Sequence, residues 1–124
     1  MAKKDGKLRL SLEDVAVYRR VHPQLDSLLD EMRELSKKQP DGAVNKFKLE
    51  FINDKLRDAN SILGDEGRPL RGFQEFDAAG LPSNSDVVMI VSQYLGSLTR
   101  WKGDRTERQG PYMFWSTEPP IRVD

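Results

Sequence analysis

Apolar positions in this chain recur with a helical period over three long stretches and with a period of two over one short one. From residue 15, Val15, Tyr18, His22, Leu25, Leu29 and Met32 fall at alternating spacings of three and four, and Val21, Leu28 and Leu35 widen the stripe. That spacing predicts an amphipathic helix with one broad buried face. Ser11 offers an N-cap hydroxyl, Asp14 meets the positive end of the helix, and Lys37 and Lys38 meet the negative end. Pro23 lacks an N–H and biases His22 away from helical geometry, so a kink, or a break with a second helix starting there, is predicted near His22–Pro23. After a turn at Gln39-Pro40-Asp41-Gly42, a second helix is predicted from about Asp41–Ala43 to Leu63. Its expected buried face is Val44, Phe47, Phe51, Ile52, Leu56, Ala59, Ile62 and Leu63, and Gly64 stands where a left-handed cap belongs. So short a connection makes the two helices antiparallel neighbours.

Residues 64–85 break the period with Gly64, Gly67, Pro69, Gly72, Gly80 and Pro82. A loop of this length is uncommon inside one domain unless it is ordered or functional. Phe73 and Phe76 are expected to pin it against the hairpin, and residues 74–79 have room for a turn or two of helix. Asn84, Ser85 and Asp86 then offer caps for a third helix, in which Val87 to Val91, Tyr94, Leu95, Leu98 and Trp101 fill nearly every face of the first two turns. A helix so apolar is central or buried between copies. It is expected to end near Gly103, where the polar run Arg105 to Gly110 begins. Pro119 and Pro120 bar helix beyond Thr117, so the aromatic tail from Pro111 reads as extended. Residues 7–12 alternate polar and apolar and are the candidate strand to pair with residues 111–116, although helix onset at Ser11 competes for the last of them. The predicted fold is all-α, a three-helix or four-helix bundle on an antiparallel helical hairpin with a long ordered loop and an extended aromatic C-terminal tail. Residues 1–10 form a basic, partly flexible arm, and residues 11–124 a single helical domain.

Composition narrows what such a fold can do. A chain of 124 residues buries roughly two-thirds of its unfolded surface as one domain. It has no Cys and one His, which removes disulfide, thiolate and multi-His metal chemistry within one copy. Twenty basic residues balance twenty acidic ones, so there is no overall positive field of the kind non-specific nucleic-acid binders use. No apolar run approaches the ~20 residues that span a bilayer, and the charged start leads into no apolar signal core, so a cytoplasmic protein with no membrane partner is expected. Neutrality is an average over unlike regions. Lys3, Lys4, Lys7 and Arg9 against Asp5 give residues 1–10 a charge of +3, residues 97–110 sum to +2, and residues 24–34 sum to −3.

Candidate chemistry gathers at two places. Arg100, Trp101, Lys102, Arg105 and Arg108 followed by Tyr112, Phe114 and Trp115 interleave cations with flat rings. Trp, Tyr and Arg are the residues enriched at protein-interaction hot spots, and the same mixture stacks on single-stranded nucleic acid. Completion of a small core by Trp101 and Trp115 is the plainer reading. His22 lies on an apolar stripe with no triad partner nearby, and no Gly-x-Ser-x-Gly elbow or phosphate-cradling glycine loop occurs.

The second place is acidic. Glu31 and Glu34 on the first helix, with Glu50 and Asp54 on the second, set carboxylates one turn apart on neighbouring helices, a donor set suited to Mg²⁺. Over residues 31–54 this is similar to the Glu-x-x-Glu and Glu-x-x-Asp helices of the all-α nucleoside-triphosphate pyrophosphohydrolases. Asn53 stands where that pattern ends in aspartate, with Asp54 one residue on. The resemblance implies a magnesium-dependent nucleotide hydrolase using these carboxylates. A solvated mixed-charge face is the plainer reading, with Lys46, Lys48, Lys55 and Arg57 close by.

The function expected is therefore a non-enzymatic adaptor without cofactor that forms homo-oligomers or binds a protein partner through its third helix and through Arg100, Trp101, Tyr112, Phe114 and Trp115. The magnesium enzyme is the alternative, and a nucleic-acid accessory protein the third option.

Overall fold

Ser11 does cap the first helix, its Oγ accepting from the Asp14 N–H at 3.1 Å, and α1 runs from Leu12 to Lys38. The computed structural model describes residues 3–4, 7–8 and 10–124. The flexibility expected of residues 1–10 falls mainly on residues outside that set. The break expected at Pro23 does not occur, and α1 is continuous through it. Pro23 lies on the exposed side of the helix, so the Arg19 carbonyl that loses its partner there faces solvent and can be hydrated.

The second helix, α2, spans Lys46–Gly67 and starts later than the sequence pattern suggests, because Asn45 is the N-cap and accepts from the Lys48 N–H at 2.8 Å. Gly64 adopts φ 67°, the left-handed conformation anticipated for it, and one further turn follows before Arg68. The third helix, α3, covers Asn84–Asp104 with the Ser83 hydroxyl as its cap. Lys48 of α2 meets Glu31 of α1 while Arg20 meets Asp58, so α1 and α2 are antiparallel. Tyr18 stacks on Trp101 at the other end of the molecule from the Asn84–Gln39 hydrogen bond, so α1 and α3 are antiparallel as well. All three helices contribute to one apolar cluster that includes Val21, Leu25, Met32, Ile52, Leu56, Val91, Tyr94 and Leu98.

Phe47 is 81% exposed and Phe51 46% exposed, whereas both were expected in the core. The buried face of α2 is Leu49, Ile52, Asn53, Leu56, Ala59 and Leu63, and Phe47 lies two positions, about 200°, from Leu49. On α3 the surplus apolar positions are covered inside the chain. Val87, Ile90, Val91, Tyr94 and Leu98 are buried, Val88 and Leu95 are half-buried, and Met89 is the large apolar side chain of this helix left exposed.

Residues 68–83 form turns without any helix. They are held by the side chains of α2. Asn53 donates to the Phe76 carbonyl and accepts from the Phe76 N–H, both at 2.9 Å, and Asn60 donates to the Gln74 carbonyl at 2.8 Å. Phe73 packs edge-on to Phe76 and Tyr94, as the pinning role assigned to this aromatic pair requires.

The C-terminal tail is not a lone extended segment. After the two-residue strands Lys3–Lys4 (β1) and Lys7–Leu8 (β2), Thr106–Gln109 (β3), Tyr112–Trp115 (β4) and Ile121–Arg122 (β5) make a three-stranded antiparallel sheet in the order β3-β4-β5, the first two joined by a hairpin with Gly110 at φ 65°. The partner expected for residues 111–116 was residues 7–12. Instead Lys7–Leu8 pair with Lys3–Lys4, and Leu12 already belongs to α1. The polar run after α3 supplies the strand, which buries Thr106 at its start and runs out to exposed Arg108 and Gln109 at the hairpin. No described helix is long and apolar enough to cross a membrane.

Candidate binding surfaces

The interleaved cations and rings divide, on folding, into an aromatic interior and a basic exterior. Helical spacing carries Trp101 inward beside Tyr18, ring centroids 5.6 Å apart and nearly parallel, and the hairpin returns Trp115 to the same place, 5.4 Å from Tyr18 and 6.0 Å from Trp101. Both indoles are buried and therefore complete the core. His22 stacks on the far side of Tyr18 at 5.2 Å. Burial holds its pKa below the ordinary value, with Lys102 acting in the same direction and Asp26 opposing. The Lys102 ammonium lies 5.7 Å from the rings of Tyr18 and Trp115.

Of the residues proposed to meet a partner, Arg100 and Tyr112 are exposed and Phe114 is half-buried. The Arg122 guanidinium sits 3.6 Å from the Tyr112 ring centre, so one aromatic face is already covered. These residues do not form a single patch. Arg100 lines a cleft of about 540 Å³ between the end of α2 and α3, whereas Tyr112 and exposed Met113 lie on the hairpin.

In that cleft, Arg105 lies 4.7 Å from the Trp101 ring centre and donates from Nη1 to the Trp101 carbonyl at 3.2 Å. Burial lowers its pKa, with Asp104 and Asp14 opposing the shift. Arg68, on the opposite wall, donates from Nη2 to Asp65 at 2.6 Å, while its Nε is buried with no partner among the described residues. Sequence reading did not single out Arg68, since nothing in its local pattern distinguishes it from other loop arginines.

The acidic candidates are brought to neighbouring helices but engaged separately. Glu31 accepts from Lys48 Nζ at 3.0 Å, Glu34 from Lys37 at 3.1 Å, and Asp54 from Lys55 at 3.3 Å. Glu50 makes no ion pair among the described residues, and no three acidic or His side chains there gather as a metal cage. Their arrangement is the mixed-charge face that the nearby lysines suggest.

Phe47 and Phe51 form the clearest surface anomaly. They are one helical turn apart, Glu50 lies on the same side, and Lys55 Nζ stands 4.9 Å from the Phe51 ring centre. Phe51 also borders a shallow cleft of about 360 Å³ with Pro23, Gln24, Ser27, Leu28 and Glu31 of α1. The signal that could have placed them outside was the i, i+3, i+7 run Leu49, Ile52, Leu56, which fixes a different face. No family model, curated protein or solved structure matches the chain.

Proposed function

We propose that this is a non-enzymatic, cytoplasmic interaction protein built on a three-helix bundle, and that it self-associates by docking the α1–α2 face of one copy against the hairpin of another. The observation that carries this reading is the exposed pair Phe47 and Phe51, because aromatic side chains are costly to leave in water and dominate interface energetics when buried. Charge selects the occupant. Glu50 has no ion pair among the described residues and flanks Phe47 on the helix surface, and Arg108, likewise without one, lies opposite Met113 in the hairpin, beside exposed Tyr112. An unpaired carboxylate beside exposed rings on one face and an unpaired guanidinium beside exposed Tyr112 on another are complementary. The tail keeps its place in the interaction, through Tyr112 and Met113, whereas buried Trp101 and Trp115 support the surface from beneath. Such a contact joins unlike surfaces and propagates head to tail unless it closes into a ring.

Sedimentation velocity across a concentration series is the test. The wild-type chain should show species larger than a monomer that dissociate in Phe47→Ser/Phe51→Ser, in Glu50→Arg and in Arg108→Glu. The Glu50→Arg/Arg108→Glu double variant should reassociate. A wild-type protein that stays monomeric at millimolar concentration, or association indifferent to all these changes, overturns the proposal.

A further inference from the structure

The cleft between the end of α2 and α3 has the composition of an anion site. Its α3 wall is low because Ser92, Gly96 and Ser97 face it, and a Cβ placed on Gly96 would meet nothing within 4 Å. A mid-helix glycine normally costs about 1 kcal/mol relative to alanine, so no packing constraint explains this one. Around that floor stand three guanidinium groups, Arg68, Arg100 and Arg105, against two carboxylates, Glu66 and Asp104.

Each arginine has donors to spare. Arg100 makes no ion pair or hydrogen bond with another described side chain. Arg105 uses Nη1 on a backbone carbonyl and has its guanidinium carbon 4.7 Å from the Trp101 ring centre, which leaves its other N–H groups uncommitted to any side chain among the described residues. Arg68 is anchored by Asp65 and keeps a buried Nε with no acceptor among the described residues. A buried donor without an acceptor costs about 1–3 kcal/mol, so the Arg68 guanidinium is held beside the cleft incompletely satisfied.

We infer that this cleft binds a small organic oxyanion, a phosphate ester or a carboxylate of metabolite size, through the guanidinium groups of Arg68, Arg100 and Arg105. Guanidinium forks match the paired oxygens of phosphate and carboxylate, and the volume of about 540 Å³ lies within the range of small-molecule sites. Ser92 and Ser97 add hydroxyls able to hydrogen-bond the body of the ligand. The site is independent of the Phe47 and Phe51 surface, which lies earlier on α2.

Titration of the full chain with pyrophosphate and, separately, with succinate, followed by amide NMR at constant ionic strength, tests the inference. Saturable shifts at the amides of residues 92–105 are expected with at least one probe, and the probe that saturates identifies the phosphate or the carboxylate source. Arg100→Gln, an exposed position, should weaken binding at least tenfold, and Gly96→Leu, which fills the floor, should do the same without removing charge. The absence of saturation with both probes overturns the inference. So does binding that survives both substitutions.

Discussion

The side-chain amide of Asn53 and the backbone of Phe76 exchange two hydrogen bonds of 2.9 Å, so one residue of α2 imitates a strand partner for a loop twenty-three positions away. Asn53 is 5% exposed, and neither of its polar atoms has water to fall back on. Replacing it with alanine leaves the Phe76 N–H and carbonyl without partners, and a loss of about 1–3 kcal/mol is expected in urea unfolding. Asn53→Asp should be no better near neutral pH, since a carboxylate cannot donate to the Phe76 carbonyl. Local hydrogen exchange in residues 73–77 should rise in both variants, and unchanged exchange there would show that the loop is held by other contacts.

The assignment of faces on α2 has its own test. Phe47→Ser should leave monomer stability within about 0.5 kcal/mol of wild type, as for other surface changes. Leu49→Ala, two residues further on and 1% exposed, should cost about 2–5 kcal/mol. Denaturant midpoints of the two variants at low protein concentration decide the matter. A reversed order would return Phe47 to the core.

Trp115 separates a core role from a docking role. It is 1% exposed and meets Tyr18 and Trp101, so Trp115→Ala should destabilise the fold by about 3–5 kcal/mol. Tyr112→Ala, at the exposed start of the same strand, should be nearly silent in thermal melts while weakening self-association.

His22 gives the fold a mild pH dependence. Burial depresses its pKa below the ordinary 6.5, so between that value and the folded one the unfolded chain holds a proton that the folded chain does not. Stability should therefore fall as pH drops through 6.5, and this contribution should be level above it. Asp26 opposes the shift, so Asp26→Asn should lower the His22 midpoint further, and His22→Gln should flatten the slope. Imidazole NMR titration and urea midpoints at several pH values provide the check.

Most of the helical framework could be read from spacing alone, because Ser11, Gly64 and the stripe from Val15 to Met32 report local physics that the fold leaves undisturbed. What escaped depended on distant partners. The polar run Arg105 to Gly110 reads as a helix end until β4 is there to pair with it, and Asn53 reads as a surface residue until Phe76 arrives. Phe47 and Phe51 read as core because apolar character says what a residue prefers and not which of two faces meets the neighbouring helix. The arginine cleft brings together residues thirty and more positions apart, and no single stretch of sequence carries that signal.

The starts of α2 and α3 are stitched together: Val44 N–H to the Pro82 carbonyl at 2.9 Å, Asn84 N–H to Gly42 at 2.8 Å, and Ser85 N–H to Pro40 at 3.0 Å, beside the Ala43–Ser83 bridge. The chain thus leaves and re-enters the α1–α3 pair at one point, and everything between is a closed excursion. Closure entropy grows only with the logarithm of length, about 0.6 kcal/mol for each doubling. The exposed bend at residues 77–81 therefore offers a place where foreign sequence can be inserted with little disturbance to α1 and α3, a natural graft site on an otherwise tightly threaded chain.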